Sequence, residues 1–183
     1  MKKTIVIYYS NKGSNRFLAK KIADSLNCEI EEIKPRLNVH FFLLFGLSLG
    51  NKKLKSKISE YDTTILCGPI WMGKFVAPLK GFVKKYKSNI KELVFVSCCG
   101  SSFEIKDKKF GHGLVFKEVK EMLNDKCIHC EAFPITLILP DDKKEDPQAV
   151  MNTRLTDDSF KGEIKDRFNS FIEGMSAKLA KDE

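Results

Sequence analysis

Six small, polar residues separate an apolar run from a helical pattern near the start of the chain. The apolar run covers residues 4–9, and apolar positions at helical spacing follow from residue 15. The polar residues between them are Ser10, Asn11, Lys12, Gly13, Ser14 and Asn15. Unpaired N–H groups at a helix N-terminus, together with the helix dipole, favour an anion by about 0.3–1 kcal/mol. Side-chain donors, the Lys12 charge and the close backbone approach that Gly13 permits would strengthen such a site.

This loop matches neither the nucleotide-triphosphate pattern G-x-x-x-x-G-K-[ST] nor the dinucleotide pattern G-x-G-x-x-G. Two interpretations therefore stay open. The loop binds an anion, or it is a strand-to-helix turn with Asn15 as the N-cap.

Two more loops of unusual composition follow apolar runs. GPIWMG carries the chain's only tryptophan, Trp71, between two glycines. A planar ligand stacked on this indole would gain about 0.5–1.5 kcal/mol beyond the area it buries. In the alternative, Trp71 folds back onto the helix that follows. SCCGSS offers small side chains and backbone donors. Together the three loops describe a site with a phosphate end and a flat aromatic end.

The elements that must position these loops alternate between strand and helix patterns. Strands are predicted at residues 4–9, 28–33, 63–67, 92–100 and 131–139, and helices at 15–26, 77–86, 113–123 and 159–179. Polar alternation in the second strand and Pro134 in the fifth indicate sheet edges. The alternation predicts one domain over residues 1–183, a parallel sheet with helices on both faces. Ligands bind such sheets beyond the carboxyl ends of the strands, where the three loops lie.

These motifs resemble those of the flavodoxin-like FMN-binding family. Ser10 and Gly13 match its phosphate loop, a Ser/Thr-x-Thr-Gly-x-Thr type of pattern, whereas Lys12 and Asn15 replace its other hydroxyl residues. The segment YDTTILCGPIWMGKFVAPLKGFV, residues 61–83, resembles the family's Asp-strand-Gly-x-Pro-x-Trp segment, whose loop packs against the isoalloxazine. SCCGSS stands where the family has its third flavin loop. The resemblance covers about residues 3–140 and the last helix.

The resemblance implies a three-layer α/β/α sandwich, a flavodoxin-like α/β fold whose five-stranded parallel sheet has the order 2-1-3-4-5. It also implies noncovalent FMN, with its phosphate at residues 10–15 and its ring at residues 69–73 and 97–101. The predicted cofactor-binding residues are Ser10, Asn11, Lys12, Gly13, Ser14, Asn15, Pro69, Ile70, Trp71, Met72, Gly73, Ser97, Cys98, Cys99, Gly100 and Ser101. No catalytic acid or base and no metal ligand is predicted.

The function implied by the resemblance is electron transfer to or from a redox partner protein. FMN would carry the chemistry, and the protein would supply binding, orientation and electrostatics. One alternative is an NAD(P)H-dependent quinone or flavin reductase on the same fold, with the apolar residues 37–50 forming substrate space or a dimer contact. Another is a scaffold that has lost FMN, since two hydroxyl residues of the phosphate loop are replaced. The electron donor, the acceptor and the oligomeric state stay open.

The net charge of +8 comes from lysines scattered along the whole chain. This distribution favours a solvated basic surface, then an acidic redox partner, then nucleic acid, for which no known motif is present. The apolar residues 37–50 are shorter than the ~20 residues of a membrane span, which favours a packed helix or loop over contact with a membrane surface. The short apolar run after the first two lysines lacks a cleavage site, so a cytoplasmic protein with reduced thiols is predicted.

Three remaining features are expected to be structural. The C-x-x-C motif of Cys127 and Cys130 precedes a predicted strand instead of opening a helix, which favours a structural over a redox role. Cys98 and Cys99 are expected to provide small apolar packing at the end of the fourth strand. His112 is expected at a loop-to-helix junction as a solvated residue, in preference to a proton donor.

Overall fold

The computed structural model describes residues 2–36, 49–100 and 111–180. Its strands are β1 (Thr4–Tyr8), β2 (Glu29–Glu32), β3 (Thr63–Cys67), β4 (Ile70–Trp71), β5 (Lys74–Phe75), β6 (Glu92–Cys99) and β7 (Cys127–Pro134). Its α-helices are α1 (Ser14–Ser25), α2 (Ala77–Tyr86), α3 (His112–Leu123), α4 (Pro147–Asn152) and α5 (Glu163–Ala180). Short 3₁₀ turns lie at Ile58–Glu60, Asn124–Lys126, Ile135–Ile138 and Asp141–Lys143.

Five of these strands form a parallel sheet in the order β2-β1-β3-β6-β7. The strands β4 and β5 form a separate antiparallel hairpin, so the order within the large sheet is the predicted 2-1-3-4-5. The polar β2 and the strand that ends in Pro134 occupy the two edges, as predicted. Every residue of β1 and β3 is buried, because helices cover both faces of the sheet and leave no place for polar alternation.

The helices lie in two layers, which confirms the α/β/α sandwich. On one face α2 and α3 pack against the odd-numbered side chains of β1 and β6; this cluster includes Ile5, Ile7, Leu79, Phe82, Leu93, Phe95, Val115 and Val119. On the other face α1 and α5 pack against the alternate side chains; this cluster includes Val6, Leu18, Ile22, Ile65, Val94, Phe133, Phe168, Phe171 and Met175. Successive side chains of a strand point to opposite faces of the sheet, so alternate residues of each strand contribute to the two clusters.

A glycine permits the close approach of α2 to the sheet. Gly68 follows β3 directly, and a Cβ atom placed on it would lie 2.6 Å from Cδ1 of Leu79. Leu79 is fully buried in α2. The missing side chain therefore lets the helix pack against the end of the strand, where the chain turns into the β4–β5 hairpin.

The predicted boundaries of the fifth strand were wrong at both ends. We predicted residues 131–139, but β7 runs over Cys127–Pro134 and a 3₁₀ turn covers Ile135–Ile138. Pairing with β6 extends from Leu93–Cys127 to Cys99–Pro134. The backbone hydrogen bonds of this pairing stabilise a strand at residues whose own sequence does not indicate one. As a result, the C-x-x-C motif lies within the strand and not before it.

The last helix starts later than predicted, at Glu163 instead of residue 159. A turn precedes it, in which the Thr156 N–H donates to the Ser159 Oγ at 2.9 Å, and Gly162 then adopts a φ of 61°. The charged segment before it contains α4, which we did not predict. This helix has a local start signal, because the Asp146 side chain accepts from the Gln148 N–H at 2.8 Å.

His112 is buried, so the expectation of a solvated histidine was wrong. Only 7% of its surface is exposed, and its ring lies 5.2 Å from that of Phe116. It shares the buried face of α3 with Val115 and Val119, at the spacing of a helical stripe.

Parts of two predictions lie outside the described residues. They are residues 37–48 of the apolar segment and the candidate site residue Ser101. Within the described ranges, no helix is long and apolar enough to cross a membrane.

Candidate functional site

The three predicted loops meet around one cavity at the carboxyl end of the parallel sheet. Its volume is about 620 Å³, which lies in the range of small-molecule sites. The predicted residues that line it are Ser10, Asn11, Lys12, Ser14, Asn15, Pro69, Ile70, Trp71, Met72, Cys98, Cys99 and Gly100. Gly13, Gly73 and Ser97 are not among the lining residues. Gly13 and Gly73 shape the two loops at positive φ, and Ser97 is buried within β6.

The first loop ends in a helix start that can receive an anion. Gly13 has a φ of 103°, a conformation that favours glycine, and its N–H donates to the Ser10 Oγ at 3.2 Å. The first N–H to donate within α1 is that of Phe17, which donates to the Gly13 carbonyl at 2.9 Å. The N–H groups of Ser14 and the two residues after it consequently have no acceptor within the helix. Such groups and the helix dipole attract negative charge.

Asn15 is not the N-cap, because α1 begins at Ser14 with Gly13 in the cap position. Its side chain instead joins the first loop to the third. The Asn15 Nδ2 donates to the Cys98 carbonyl at 2.9 Å, and the Cys98 N–H donates to the Asn15 Oδ1 at 2.8 Å. Asn15 is buried, with 5% of its surface exposed.

The sheet geometry explains why this amide is needed. The Val96 carbonyl accepts from the Gly68 N–H at 3.0 Å, so the polar groups of Val96 point toward β3. Those of Cys98, two residues further on, point the same way, but β3 has already ended at Cys67. The Asn15 amide takes the place of the missing strand residue and satisfies both buried groups of Cys98.

The aromatic end is built on the β4–β5 hairpin. Trp71 pairs with Lys74, and the two turn residues Met72 and Gly73 have φ values of 49° and 68°. Positive φ at both positions is the geometry of a tight two-residue hairpin. The half-buried Trp71 packs against the core, meets Tyr9 edge-on at 6.4 Å between ring centroids, and also lines the cavity. The hairpin therefore holds the indole at the wall of the site.

Five lining residues were missed by the sequence interpretation. They are Ile135, Val150, Met151, Thr153 and Arg154. Most belong to α4 and the segment after it, which folds over the first loop: the Leu155 N–H donates to the Ser14 Oγ at 3.1 Å. The Asp146-Pro147 start of α4 was a readable local signal, but nothing local indicates that this helix covers a loop more than 130 residues away.

This covering segment adds a positive charge beside the start of α1. Arg154 donates through Nη1 to the carbonyls of Met151 and Thr153, both at 2.6 Å. The Lys12 Nζ donates to the Met151 carbonyl at 3.5 Å. Two cationic side chains thus meet at one carbonyl beside the start of α1.

Two buried thiols beneath the loops, those of Cys98 and Cys67, have raised pKa values. Burial raises the pKa of Cys98, and the neighbouring Cys99 raises it further. Burial likewise raises the pKa of Cys67. Neither thiol is therefore a nucleophile at neutral pH, and both act as small packing groups beneath the loops.

No family model and no curated protein sequence matches this chain. Several solved structures are similar to it. The chain is similar to a flavoprotein in complex with FMN from Lactobacillus acidophilus NCFM, with a TM-score of 0.60 and 18% identity over 72% of this chain and 93% of that chain. It is similar to a short-chain flavodoxin associated with a non-canonical PDU bacterial microcompartment, with a TM-score of 0.55 and 14% identity over 98% and 100%. A flavodoxin from the domain Archaea gives a TM-score of 0.53 and 13% identity over 96% and 97%.

These similarities, together with the strand order, define the fold of this chain as flavodoxin-like.

Proposed function

We propose that this protein binds FMN in the 620 Å³ cavity and transfers electrons to or from a redox partner protein. The observation that carries the proposal is the meeting of two unlike loops on one cavity at the carboxyl edge of the sheet. One is a glycine-shaped helix start with free donors, and the other is a hairpin that presents Trp71. A phosphate group joined to a flat ring system requires this combination. A structural neighbour binds FMN on the same fold, which supports the proposal.

The phosphate end fits a dianion despite its two replaced hydroxyl residues. The Ser10 hydroxyl accepts from Gly13 and keeps its own O–H to donate. Asn15 contributes its backbone N–H, since its side chain is bound to Cys98. Lys12 and Arg154 supply the charge. A guanidinium carries five N–H donors, so the two bonds to carbonyls leave Arg154 able to bind phosphate.

The ring end offers apolar walls and backbone donors. Trp71 and Met72 come from the hairpin, the backbone from Cys98 to Gly100 comes from the end of β6, and Val150 comes from α4. When bound, FMN supplies the capacity to take up and release electrons. The residues of this chain position the ring and exclude water from it.

The mouth of the cavity suits a transient protein partner. Met72 is 66% exposed and Met151 is 55% exposed, and both line the cavity. Exposed apolar side chains at a binding site are typical of surfaces that a partner covers briefly. Lys12 and Arg154 lie at the same cavity, and the net charge is +8, so we propose an acidic partner.

Titration with FMN and with riboflavin tests the proposal. Trp71 is the only tryptophan, so its fluorescence reports directly on a ring bound beside it. We expect FMN to quench this fluorescence at micromolar concentration and riboflavin, which lacks the phosphate, to bind more weakly. Absence of FMN binding would contradict both the electron-carrier and the reductase hypotheses. It would support the alternative in which the protein is a scaffold that has lost FMN.

Substitutions at the phosphate end refine the test. Lys12→Ala and Arg154→Ala should each weaken FMN binding by about 1–2 kcal/mol, roughly 5–30-fold, because each removes a charged donor. Neither should change the affinity for riboflavin. Lys20→Ala, an exposed lysine on the following helix, is the matched control and should change neither affinity. Equal losses for both flavins would show that these side chains do not contact the phosphate.

The reductase alternative depends on residues 37–50, most of which lie outside the described residues. It is tested by adding NADH or NADPH anaerobically to the flavin-loaded protein. An electron carrier should keep its flavin absorbance on mixing, whereas rapid bleaching would establish the reductase.

A further inference from the structure

Cys127 and Cys130 lie in the amino-terminal half of the edge strand β7, and neither lines the cavity. In the sheet register Cys127 pairs with Leu93 of β6, whereas the cavity residue Cys98 lies five residues further along β6. At about 3.3 Å per residue, the separation along the sheet is roughly 17 Å for Cys127 and, because Cys130 pairs with Phe95, roughly 10 Å for Cys130. This pair of thiols is therefore independent of the proposed flavin site.

A β-bulge brings the two thiols to the same face of the sheet. Residues three apart in a regular strand point to opposite faces. Here the register shifts between the pairs Leu93–Cys127 and Val94–His129, so that Ile128 is an extra, unpaired residue. Ile128 is 36% exposed, as expected of a bulged position at a sheet edge.

The neighbours of each side chain confirm this arrangement. His129 stacks on Phe171 of α5 at 6.0 Å between ring centroids, and Phe133 packs in the same layer. Cys127 and Cys130 both pack against the cluster on the other face, beneath α2 and α3. The two Sγ atoms lie 3.6 Å apart. The bulge therefore creates a close dithiol where a regular strand would separate the two sulfurs.

The surroundings of the two thiols shift their pKa values in opposite directions. A hydrogen bond from Cys130 lowers the pKa of Cys127 against the effect of burial, and Lys120 of α3 lowers it further. The pKa of Cys130 is raised, first by its hydrogen bond with Cys127 and then by burial, and Glu131 adds to the rise while Lys120 opposes it. Cys127 is therefore the first of the pair to become a thiolate, and a thiolate is the attacking species in disulfide exchange.

We propose that Cys127 and Cys130 form a redox-active dithiol that exchanges with low-molecular-weight disulfides such as glutathione disulfide. The Cys127 thiolate attacks one sulfur of the small disulfide, forms a mixed disulfide and releases one small thiolate. Cys130 then loses its proton and attacks the Cys127 Sγ, which releases the second small thiolate. Two electrons pass from the protein sulfurs to the small disulfide, and the two protons of the protein thiols end on the two small thiols.

The geometry allows the internal bond to close. A disulfide requires about 2.05 Å between sulfurs, so the two atoms must approach by roughly 1.5 Å. We expect rotation about the side-chain torsions, together with adjustment of the bulged backbone, to supply a movement of this size. Both side chains are half-buried, so a small disulfide can reach them while larger oxidants have less access.

The test equilibrates the full chain with graded ratios of reduced and oxidised glutathione, followed by alkylation and peptide mass spectrometry. We expect one transition in which the peptide with both cysteines loses two alkylation sites and about two mass units. Cys28→Ser is the matched control, because Cys28 is also half-buried and burial raises its pKa to about 11. This variant should leave the transition unchanged. No flavin is needed, so the result is independent of the proposed cofactor.

Two further variants test the order of attack. Cys130→Ser should accumulate glutathione on Cys127, because no second thiol can displace it. Cys127→Ser should form its mixed disulfide on Cys130 more slowly. Circular dichroism verifies that both variants are folded. The proposal is overturned if both wild-type thiols stay open to alkylation at every ratio, if glutathione persists on wild-type Cys127, or if the oxidised sulfurs belong to other cysteines.

Discussion

Asn15→Ala should lower the free energy of unfolding by about 2–4 kcal/mol. The substitution removes the amide that binds the Cys98 N–H and carbonyl at 2.8 and 2.9 Å, at a position where β3 has ended and offers no replacement. Leaving one buried polar group unpaired costs about 1–3 kcal/mol. Two such groups would give about 2–6 kcal/mol. We expect the lower part of this range, because the adjoining cavity admits water to the space that the amide leaves.

Urea unfolding followed by circular dichroism measures this change, with Asn11→Ala as the matched control. Asn11 is an asparagine of the same loop that lines the same cavity but is only partly buried, so its replacement should change the unfolding free energy by less than about 0.5 kcal/mol. A loss below about 0.5 kcal/mol for Asn15→Ala would refute the inference that this amide completes the sheet.

Asn15→Asp tests the contribution of the side-chain donor separately from that of the side-chain acceptor. The carboxylate still accepts from the Cys98 N–H, but its second oxygen faces the Cys98 carbonyl, where the amide nitrogen donated. We expect a loss of stability at least as large as that of the alanine variant at neutral pH, because two acceptors then face each other without a proton. Stability equal to that of the wild type would show that the amide donor is not required.

Two further predictions concern the packing of α2 and the edge of the sheet. Gly68→Ala should lower the unfolding free energy by about 1–3 kcal/mol, because its Cβ would lie 2.6 Å from the buried Leu79; an unchanged urea midpoint would contradict this. Burial of Glu131 opposes its ionisation, but the hydrogen bond with His129 and the charge of Arg167 outweigh this effect and lower its pKa below 4.5. A lowered folded-state pKa stabilises the protein above about 4.5, and this stability is lost as the pH falls through the folded value. Glu131→Gln should therefore flatten the acid side of the stability–pH profile, and an unchanged slope there would contradict the inference.

Local patterns in the sequence determined most of the strands of the sheet, whereas their order was implied by the family resemblance. The apolar runs of β1 and β3 needed no information beyond their own residues, because β-branched and apolar residues without polar alternation are typical of a strand that is covered on both faces. The bounds of α2 agree with the prediction at both ends, since Pro78 suits the first turn and the apolar stripe continues to Tyr86. The three loops were also readable, because small and polar residues that interrupt such runs stand out along the chain.

Only the tertiary structure decided what these loops contact. Asn15 and Cys98 are 83 residues apart, and Ser14 and Leu155 are 141 residues apart, so no local pattern records either hydrogen bond. The same holds for the bulge at Ile128, which appears only when β7 is paired with β6. Residue types and local periodicity follow from neighbours along the chain, whereas the partner of a buried polar group depends on which strand has ended beside it. The sequence therefore predicted the loops of the candidate site, and the fold decided which other residues those loops contact.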